Sequence, residues 1–153
     1  MKVIIVMAFL LIPGMVLAAG GGGGGISQRE SAPSLKVIKK TIDKAKYAEA
    51  IVMLKKYIGN DAGSADAYNY LGFSYRKSGQ LPEAFKAYDK ALALDPKHLG
   101  AHEYLGEAYL VNKEPEKAKE VLARLKGICG SCEESRDLEK AIKAAGLTPL
   151  SLP

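Results

Sequence analysis

The residues best suited to chemistry are Cys129 and Cys132, the only two cysteines in a chain of 153 residues. A C-x-x-C pair can close a disulfide, exchange with other thiols, or supply two ligands to a metal ion. For a loop this short, chain-entropy arithmetic gives a disulfide about 2 kcal/mol of stabilisation. We expect a structural disulfide that fixes the turn into the following helix.

Two other roles for the cysteine pair stay open. The next predicted helix begins at Glu133, and a helix N-terminus can lower the pKa of a nearby thiol, so a redox role is the second hypothesis. No βαβ pattern of a thioredoxin surrounds the motif. The third hypothesis is zinc, because in a helical hairpin His98 and His102 would lie near the cysteines and complete a Cys₂His₂ set. Both hypotheses make the chain a thiol-redox or metal-binding accessory protein.

Catalysis by other groups is not expected. The two histidines have no acid partner at a spacing that suggests nucleophilic catalysis, and no glycine-rich phosphate loop follows a strand. The run Gly20 to Gly25 is homopolymeric and lies outside the predicted fold. We therefore predict that the chain is not an enzyme and carries no cofactor.

The element that organises the chain is a helix, a turn and a second helix over residues 65–98. Leu71, Gly72 and Tyr75 fall on one helical face. Gly79 supplies the positive φ that ends a helix, and Pro82 suits the first turn of the next one. The apolar stripe of the second helix consists of Ala84, Tyr88, Ala91 and Leu94, before Asp95-Pro96.

These positions closely resemble the tetratricopeptide repeat, a 34-residue helix-turn-helix unit. With Ala65 as position 1, the residues that match are Tyr68, Leu71, Gly72, Tyr75, Ala84, Tyr88, Ala91 and Pro96. The window 99–132 repeats the pattern, although His102 replaces the large aromatic, which favours a packed core histidine over a metal ligand. The window 31–64 is a poorer copy, as terminal repeats often are.

This resemblance implies an all-α fold: a right-handed superhelix of three helix-turn-helix repeats, followed by a capping helix at 133–145 within a domain at 34–146. Solenoids need such a helix to cover the apolar face of the last repeat. Its expected apolar stripe is Leu138, Ala141, Ile142 and Ala145. Residues 97–142 also resemble small exported bacterial repeat proteins in which a cysteine pair precedes a cap helix, a likeness that implies no activity.

The family likeness also implies a partner-binding surface. The first helix of each repeat lines a concave groove at positions 2, 5, 9 and 12, so an unidentified protein or peptide is the expected partner. In one subset of the family, lysines and asparagines clamp a partner's C-terminal carboxylate, but the corresponding residues here include only one cation, so that clamp is absent. Phe73 could equally pack against a neighbouring helix. At the family's groove positions this chain has Asp66, Asn69, Phe73, Arg76, Gly100, Glu103, Glu107, Leu110, Lys39 and Ile42. At the family's carboxylate-clamp positions it has Leu35, Lys39, Tyr70, Gly100 and Tyr104.

The N-terminal stretch has the pattern of an export signal. Lys2 precedes the apolar run Val3 to Ile12, and small residues near Ala18 suit a signal peptidase, which predicts a signal peptide at 1–18. An uncleaved membrane anchor is the alternative. A glycine-rich linker is expected at 19–33 and an irregular tail at 147–153. These features favour an exported, periplasmic protein.

Composition agrees with an exported binding module. The net charge of +5 is too mild to indicate a nucleic-acid-binding protein. We predict a non-catalytic protein–protein interaction module that holds a peptide or helix in its groove. Self-association through the imperfect first repeat is a further hypothesis, and membrane proximity follows only if the signal is retained.

Overall fold

The structure is a computed structural model, and it describes residues 32–146. The predicted signal peptide (1–18), residues 19–31 of the predicted linker and the predicted tail (147–153) lie outside the described residues. Within 32–146 the chain forms helices and no strand. The helices are α1 (Leu35–Asp43), α2 (Tyr47–Asn60), α3 (Ala65–Lys77), α4 (Leu81–Leu94), α5 (Leu99–Val111), α6 (Pro115–Cys129) and α7 (Glu133–Ala144).

The helices pack as three successive hairpins and a final single helix. The hairpins are α1–α2, α3–α4 and α5–α6, and each first helix packs on the pair beside it. Helix α7 packs on both α5 and α6, so it covers the end of the last hairpin as a capping helix should. The predicted all-α solenoid of three repeats plus a cap is confirmed.

The turn inside each hairpin needs one residue in the left-handed backbone region. Gly79 supplies it in the second repeat with φ 75°. Ala45 (φ 56°) and Lys113 (φ 61°) stand at the same position of the other two repeats and adopt the same left-handed conformation, although neither is a glycine. Such a conformation costs an ordinary residue roughly 1–2 kcal/mol, so packing on either side of these turns must hold them.

In the second and third repeats, a glycine of the first helix lets a neighbouring helix approach closely. A Cβ on Gly72 would lie 2.5 Å from the ring of Tyr88, which is fully buried in α4. A Cβ on Gly106 would lie 2.5 Å from Leu138 of the capping helix. Small residues therefore face large ones both within a repeat and between α5 and the cap.

The capping helix buries a narrower stripe than its sequence predicts. Leu138 and Ile142 are fully buried, together with Ser135. Ala141 is only half-buried, and Ala145 is exposed because it follows the last helical residue as the C-cap. Across residues 32–146, no helix combines the length and apolar character that a membrane span requires.

Candidate functional site: the concave groove

Helices from all three repeats bring an aromatic cluster together around Phe73. The ring of Phe73 in α3 lies 4.9 Å from that of Tyr104 in α5 and 6.1 Å from that of Tyr47 in α2, measured between centroids. Beside it is a cavity of about 90 Å³, which opens between α1, α3 and α5. Its lining residues are Lys39, Ile42, Asp43, Tyr70, Phe73 and Tyr104. Phe73 thus packs against its neighbours and also forms a cavity wall.

Arg76 joins two first helices rather than projecting into solvent. Its side chain is 9% exposed and its Nη2 lies 2.5 Å from Oε2 of Glu107. The guanidinium also stacks near Phe73 (5.3 Å) and Tyr104 (5.7 Å). Because a buried ion pair must keep both partners, Arg76 and Glu107 are expected to hold α3 against α5. Their predicted role as partner contacts is not tested by this geometry.

Glu103 lies in the most acidic part of the groove. Burial, followed by Glu107 on the same helix and Asp137 and Glu134 on the capping helix, raises its pKa to about 8, while Arg76 opposes them. Glu103 makes no hydrogen bond or ion pair with any residue in 32–146. A partly buried carboxyl among other acids ionises less readily, so Glu103 keeps its proton to a higher pH than an exposed glutamate does.

Two of these acids were not among the predicted groove residues. Glu134 and Asp137 follow Gly100 and Glu103 by one 34-residue period, so they stand at groove positions 2 and 5 of an incomplete fourth repeat. The repeat register could have found them, because the capping helix α7 packs on α5 like a further first helix. Tyr70 and Tyr104 were considered only as clamp positions, yet both line the cavity.

At the N-terminal ends of α3 and α5 the groove is closed by internal contacts. The exposed carboxylate of Asp66 lies 3.1 Å from Nε2 of His98. Asn69 is only 4% exposed, and its Oδ1 has no hydrogen-bond partner. A Cβ on Gly100 would stand 3.2 Å from Nδ2 of Asn69, so the missing side chain makes room for this amide.

The remaining predicted groove residues lie at its edges. The Nζ atom of Lys39 lies 3.0 Å from Oδ1 of Asp43, both side chains being exposed. Ile42 is buried at the cavity floor, and Leu110 is half-buried near the end of α5. The cavity therefore unites Lys39, Ile42 and Phe73 of the predicted set.

The cysteine pair forms a disulfide at the junction of α6 and α7, with the Cα atoms 5.7 Å apart. Cys129 is the last residue of α6 and Cys132 is the N-cap of α7. The hydroxyl of Ser135 lies within hydrogen-bond distance of the carbonyls of Gly130 (2.9 Å) and Cys132 (3.0 Å). The disulfide therefore spans a turn that the Ser135 side chain also holds.

The described residues do not assemble the Cys₂His₂ set of the zinc hypothesis. In residues 32–146, no three side chains of His, Cys, Asp or Glu are grouped so that they could hold a metal ion. His102 is 2% exposed and its Nε2 lies 3.0 Å from the carbonyl of Pro96. Burial lowers the pKa of His102, which keeps the imidazole neutral. It is a packed core histidine that fills the aromatic position of its repeat.

Comparison with known protein families identifies the repeat directly. A family model described as tetratricopeptide repeat matches residues 65–98, and a second model with the same description matches residues 87–120. The chain is 34% identical over 61 residues to the chloroplastic tetratricopeptide repeat domain-containing protein PYG7 of Arabidopsis thaliana. That match covers 40% of this chain and 20% of the relative, so the chain matches about a fifth of the relative's length.

Solved structures with the same fold include MamA and the first TPR of Spaghetti (RPAP3) bound to the HSP90 peptide SRMEEVD. The MamA crystal structure is 29% identical, covers 74% of this chain and 67% of its own, and superposes with a TM-score of 0.64. The Spaghetti domain is 21% identical, covers 72% of this chain and 89% of its own, and has a TM-score of 0.64. The second likeness is one of fold alone.

Proposed function

This chain is a tetratricopeptide-repeat protein, and from that premise we propose that it is an exported, non-catalytic adaptor that holds a segment of a partner protein in its concave groove. The observation that carries the proposal is the cavity of about 90 Å³ beside Phe73 and Tyr104. Three repeats contribute to it, so it is a product of the stacked fold. The Spaghetti domain, a structural neighbour, holds a bound peptide, and this also supports an interaction module.

The cavity suits one apolar side chain of the partner. Its walls are aromatic and aliphatic, from Ile42, Tyr70, Phe73 and Tyr104, and its rim carries the paired charges of Lys39 and Asp43. Burying one apolar side chain in such a site is worth roughly 1.5–3 kcal/mol, and the phenol of Tyr70 adds a polar group at the edge. A helix or an extended peptide supplies such an anchor.

The partner's chemistry is expected to differ from that of the peptide bound by the neighbouring Spaghetti domain. That peptide ends in EEVD, an acidic sequence. Here the carboxylate-clamp positions contain one cation, Lys39, and its Nζ already lies 3.0 Å from Asp43. A short distance along the groove Arg76 is already paired with Glu107, and the groups beside Glu103 are mainly acids. Recognition of an acidic chain terminus is therefore disfavoured.

Export is the second part of the proposal. It is supported by the charged start, apolar run and small residues of 1–18 and by a cysteine pair at disulfide geometry, which suits an oxidising compartment. Cell fractionation with N-terminal sequencing of the mature chain tests it. A chain that keeps Met1 and stays with cytoplasmic markers would contradict it.

Photocrosslinking in cells tests the groove. We would place p-benzoylphenylalanine at Lys39, which is exposed at the cavity rim, and at Val52, which is 69% exposed on α2 and serves as the control. One dominant foreign protein captured from position 39 alone supports the proposal. Crosslinks only between copies of this chain would show an oligomer interface instead, and no position-specific product would refute the groove as a binding site.

A pair of matched variants tests the cavity itself against the captured partner. Tyr70→Ala removes a half-buried cavity wall, whereas Tyr57→Ala removes a half-buried tyrosine of α2 that lies outside the cavity. We expect Tyr70→Ala to weaken binding about tenfold or more, and Tyr57→Ala to leave it within about twofold. Equal losses would indicate a general effect on the fold.

A further inference from the structure

The net charge of the described chain is concentrated in its first repeat. Residues 32–64 contain seven lysines and three acidic residues, whereas residues 65–146 contain thirteen basic and thirteen acidic residues. The first repeat therefore has a net charge of +4, and the rest of the described chain is neutral. A charge distribution of this kind attracts partners of opposite charge to one end of the molecule.

Three lysines of the first repeat form a stripe on α1. Lys36, Lys40 and Lys44 stand four residues apart, so they lie along one side of the helix, and all three are exposed. None of them forms a hydrogen bond or an ion pair with a residue in 32–146, whereas Lys39 is paired with Asp43. Like charges at this spacing destabilise a helix, and an anionic partner would reverse that effect.

The repeat register indicates what packs on this side of a first helix. Val37 stands at the repeat position of Leu71 and Leu105, which are 8% and 5% exposed. The helices that contain these two leucines, α3 and α5, each pack on the second helix of the preceding repeat. Leu105 also shares a surface cavity with Leu92 and Ala93 of the preceding helix α4. A helix therefore covers this side in the second and third repeats.

The same side of α1 is open. Among the described residues, only the helices α2 and α3 pack on α1, and Val37 is 49% exposed. Lys40 is exposed as well, although its repeat equivalents Ser74 and Ala108 are fully buried. The first repeat thus presents an apolar residue among cations at the place where the other two repeats each hold a helix.

We propose that this open side of α1, formed by Lys36, Val37, Lys40 and Lys44, is a second interaction surface that holds an acidic amphipathic helix of a partner protein. The bound helix takes the place of a preceding second helix, with an apolar residue on Val37 and carboxylates against the lysines. Charge complementarity selects the acids, since the three ammonium groups have donors and no acceptor in the described chain. None of the four residues lines the cavity beside Phe73, so this surface is separate from the groove.

The order of the helices indicates that the bound helix comes from a different protein. Every second helix of this chain already has a following first helix packed on it: α3 on α2, α5 on α4 and the capping helix α7 on α6. A second copy therefore has no uncovered second helix to place on α1. A lipid surface fits less well, because Val37 is the only large apolar side chain that α1 exposes and membrane-surface helices need a broad apolar face.

Selection from a displayed library of amphipathic helices tests the proposal on the immobilised full chain. Each member is about 20 residues long, has a constant apolar stripe and carries Glu, Gln or Lys at random on its polar side. Wild type is compared with Lys36→Gln/Lys40→Gln and with Lys97→Gln/Lys113→Gln, a control that removes two exposed lysines outside the first repeat. We expect Glu to be enriched about threefold or more on wild type and on the control, and to stay near its unselected frequency on the α1 variant.

Photocrosslinking locates the selected helix. With p-benzoylphenylalanine at Val37, the most enriched helix should be captured, whereas the same probe at Val111, which is 55% exposed on α5, should not capture it. Tyr70→Ala, which alters the groove cavity, should leave the preference for Glu unchanged. Loss of that preference in Tyr70→Ala together with its retention on the α1 variant would place the helices in the groove, which would overturn this proposal and leave the adaptor proposal standing.

Three other outcomes would also overturn the proposal. The first is a selection on wild type without a preference for Glu, or with no enriched helix at all. The second is flotation of wild type with phosphatidylglycerol–phosphatidylcholine vesicles that the α1 variant abolishes, in the absence of any selected helix, because the occupant would then be a lipid surface. The third is a dimer in light scattering that the α1 variant converts to a monomer, because the occupant would then be a second copy.

Discussion

Replacing Glu103 with glutamine should change how the stability of this protein depends on pH. The pKa of this carboxyl is raised from 4.5 to about 8, chiefly by burial and then by Glu107, Asp137 and Glu134. Between those two pH values the folded protein holds a proton that the unfolded chain has lost. The free energy of unfolding of the wild type therefore falls as pH rises through that window.

The size of the effect follows from the same pKa difference. At about 1.4 kcal/mol per pH unit, moving from 4.5 to about 8 sets a ceiling of roughly 5 kcal/mol. The Glu103 side chain is only partly buried, so solvent screening reduces the expected loss to about 1–2 kcal/mol. Glutamine has nearly the same shape and carries no charge, so Glu103→Gln should remove this part of the pH dependence.

Urea unfolding followed by circular dichroism, at about pH 5, 7 and 9, measures the effect. Wild type and Glu103→Gln should be nearly equal in stability at pH 5, and the variant should be about 1–2 kcal/mol more stable at pH 9. Glu116→Gln is the control, because this side chain is 71% exposed on α6. Stability curves of wild type and Glu103→Gln that stay parallel across the range would refute the reasoning.

Three further stability predictions use the same urea assay. Gly72→Ala should lower the free energy of unfolding by about 1–3 kcal/mol, because a Cβ there would lie 2.5 Å from an aromatic ring and overpack the core. Gly127→Ala has nothing within 4 Å of the new Cβ and should raise the free energy of unfolding by up to about 1 kcal/mol. Equal effects of the two substitutions would contradict this packing. Replacing Cys129 and Cys132 with serine should cost about 2 kcal/mol, and a loss near zero would show that other contacts, such as those of Ser135, are enough to hold the turn. Lys113→Gly should gain about 0.5–1 kcal/mol, since φ there is 61°; a loss would mean that its side chain matters more than its backbone.

Local signals in the chain were sufficient for the fold class. The period of Leu71, Gly72 and Tyr75, the break at Gly79 and the proline at position 82 each encode a helix or a helix end, and the 34-residue recurrence then implies stacking. Such signals depend on residues that are neighbours in sequence, so they can be recognised without knowledge of tertiary contacts.

The contacts that individual groove side chains make inside the chain could not be predicted from the residues. Arg76 and Glu107, which are predicted as partner contacts, also pair with each other across α3 and α5. Asn69 stands at a groove position and is nevertheless 4% exposed. Repeat position predicts which side of a helix a residue occupies, whereas its exposure depends on which side chains lie opposite it on the next helix.

The amino-acid sequence by itself determined that this chain is an all-α repeat protein with a capping helix, because helix periodicity and repeat length are properties of the chain's own order. Only the tertiary structure decided which residues meet in the groove. It joins Lys39, Tyr70 and Tyr104 from three helices around one cavity and brings Glu134 of the cap towards Glu103. Those encounters depend on the packing of helices distant in sequence, which alone sets burial, ion pairing and the pKa of Glu103.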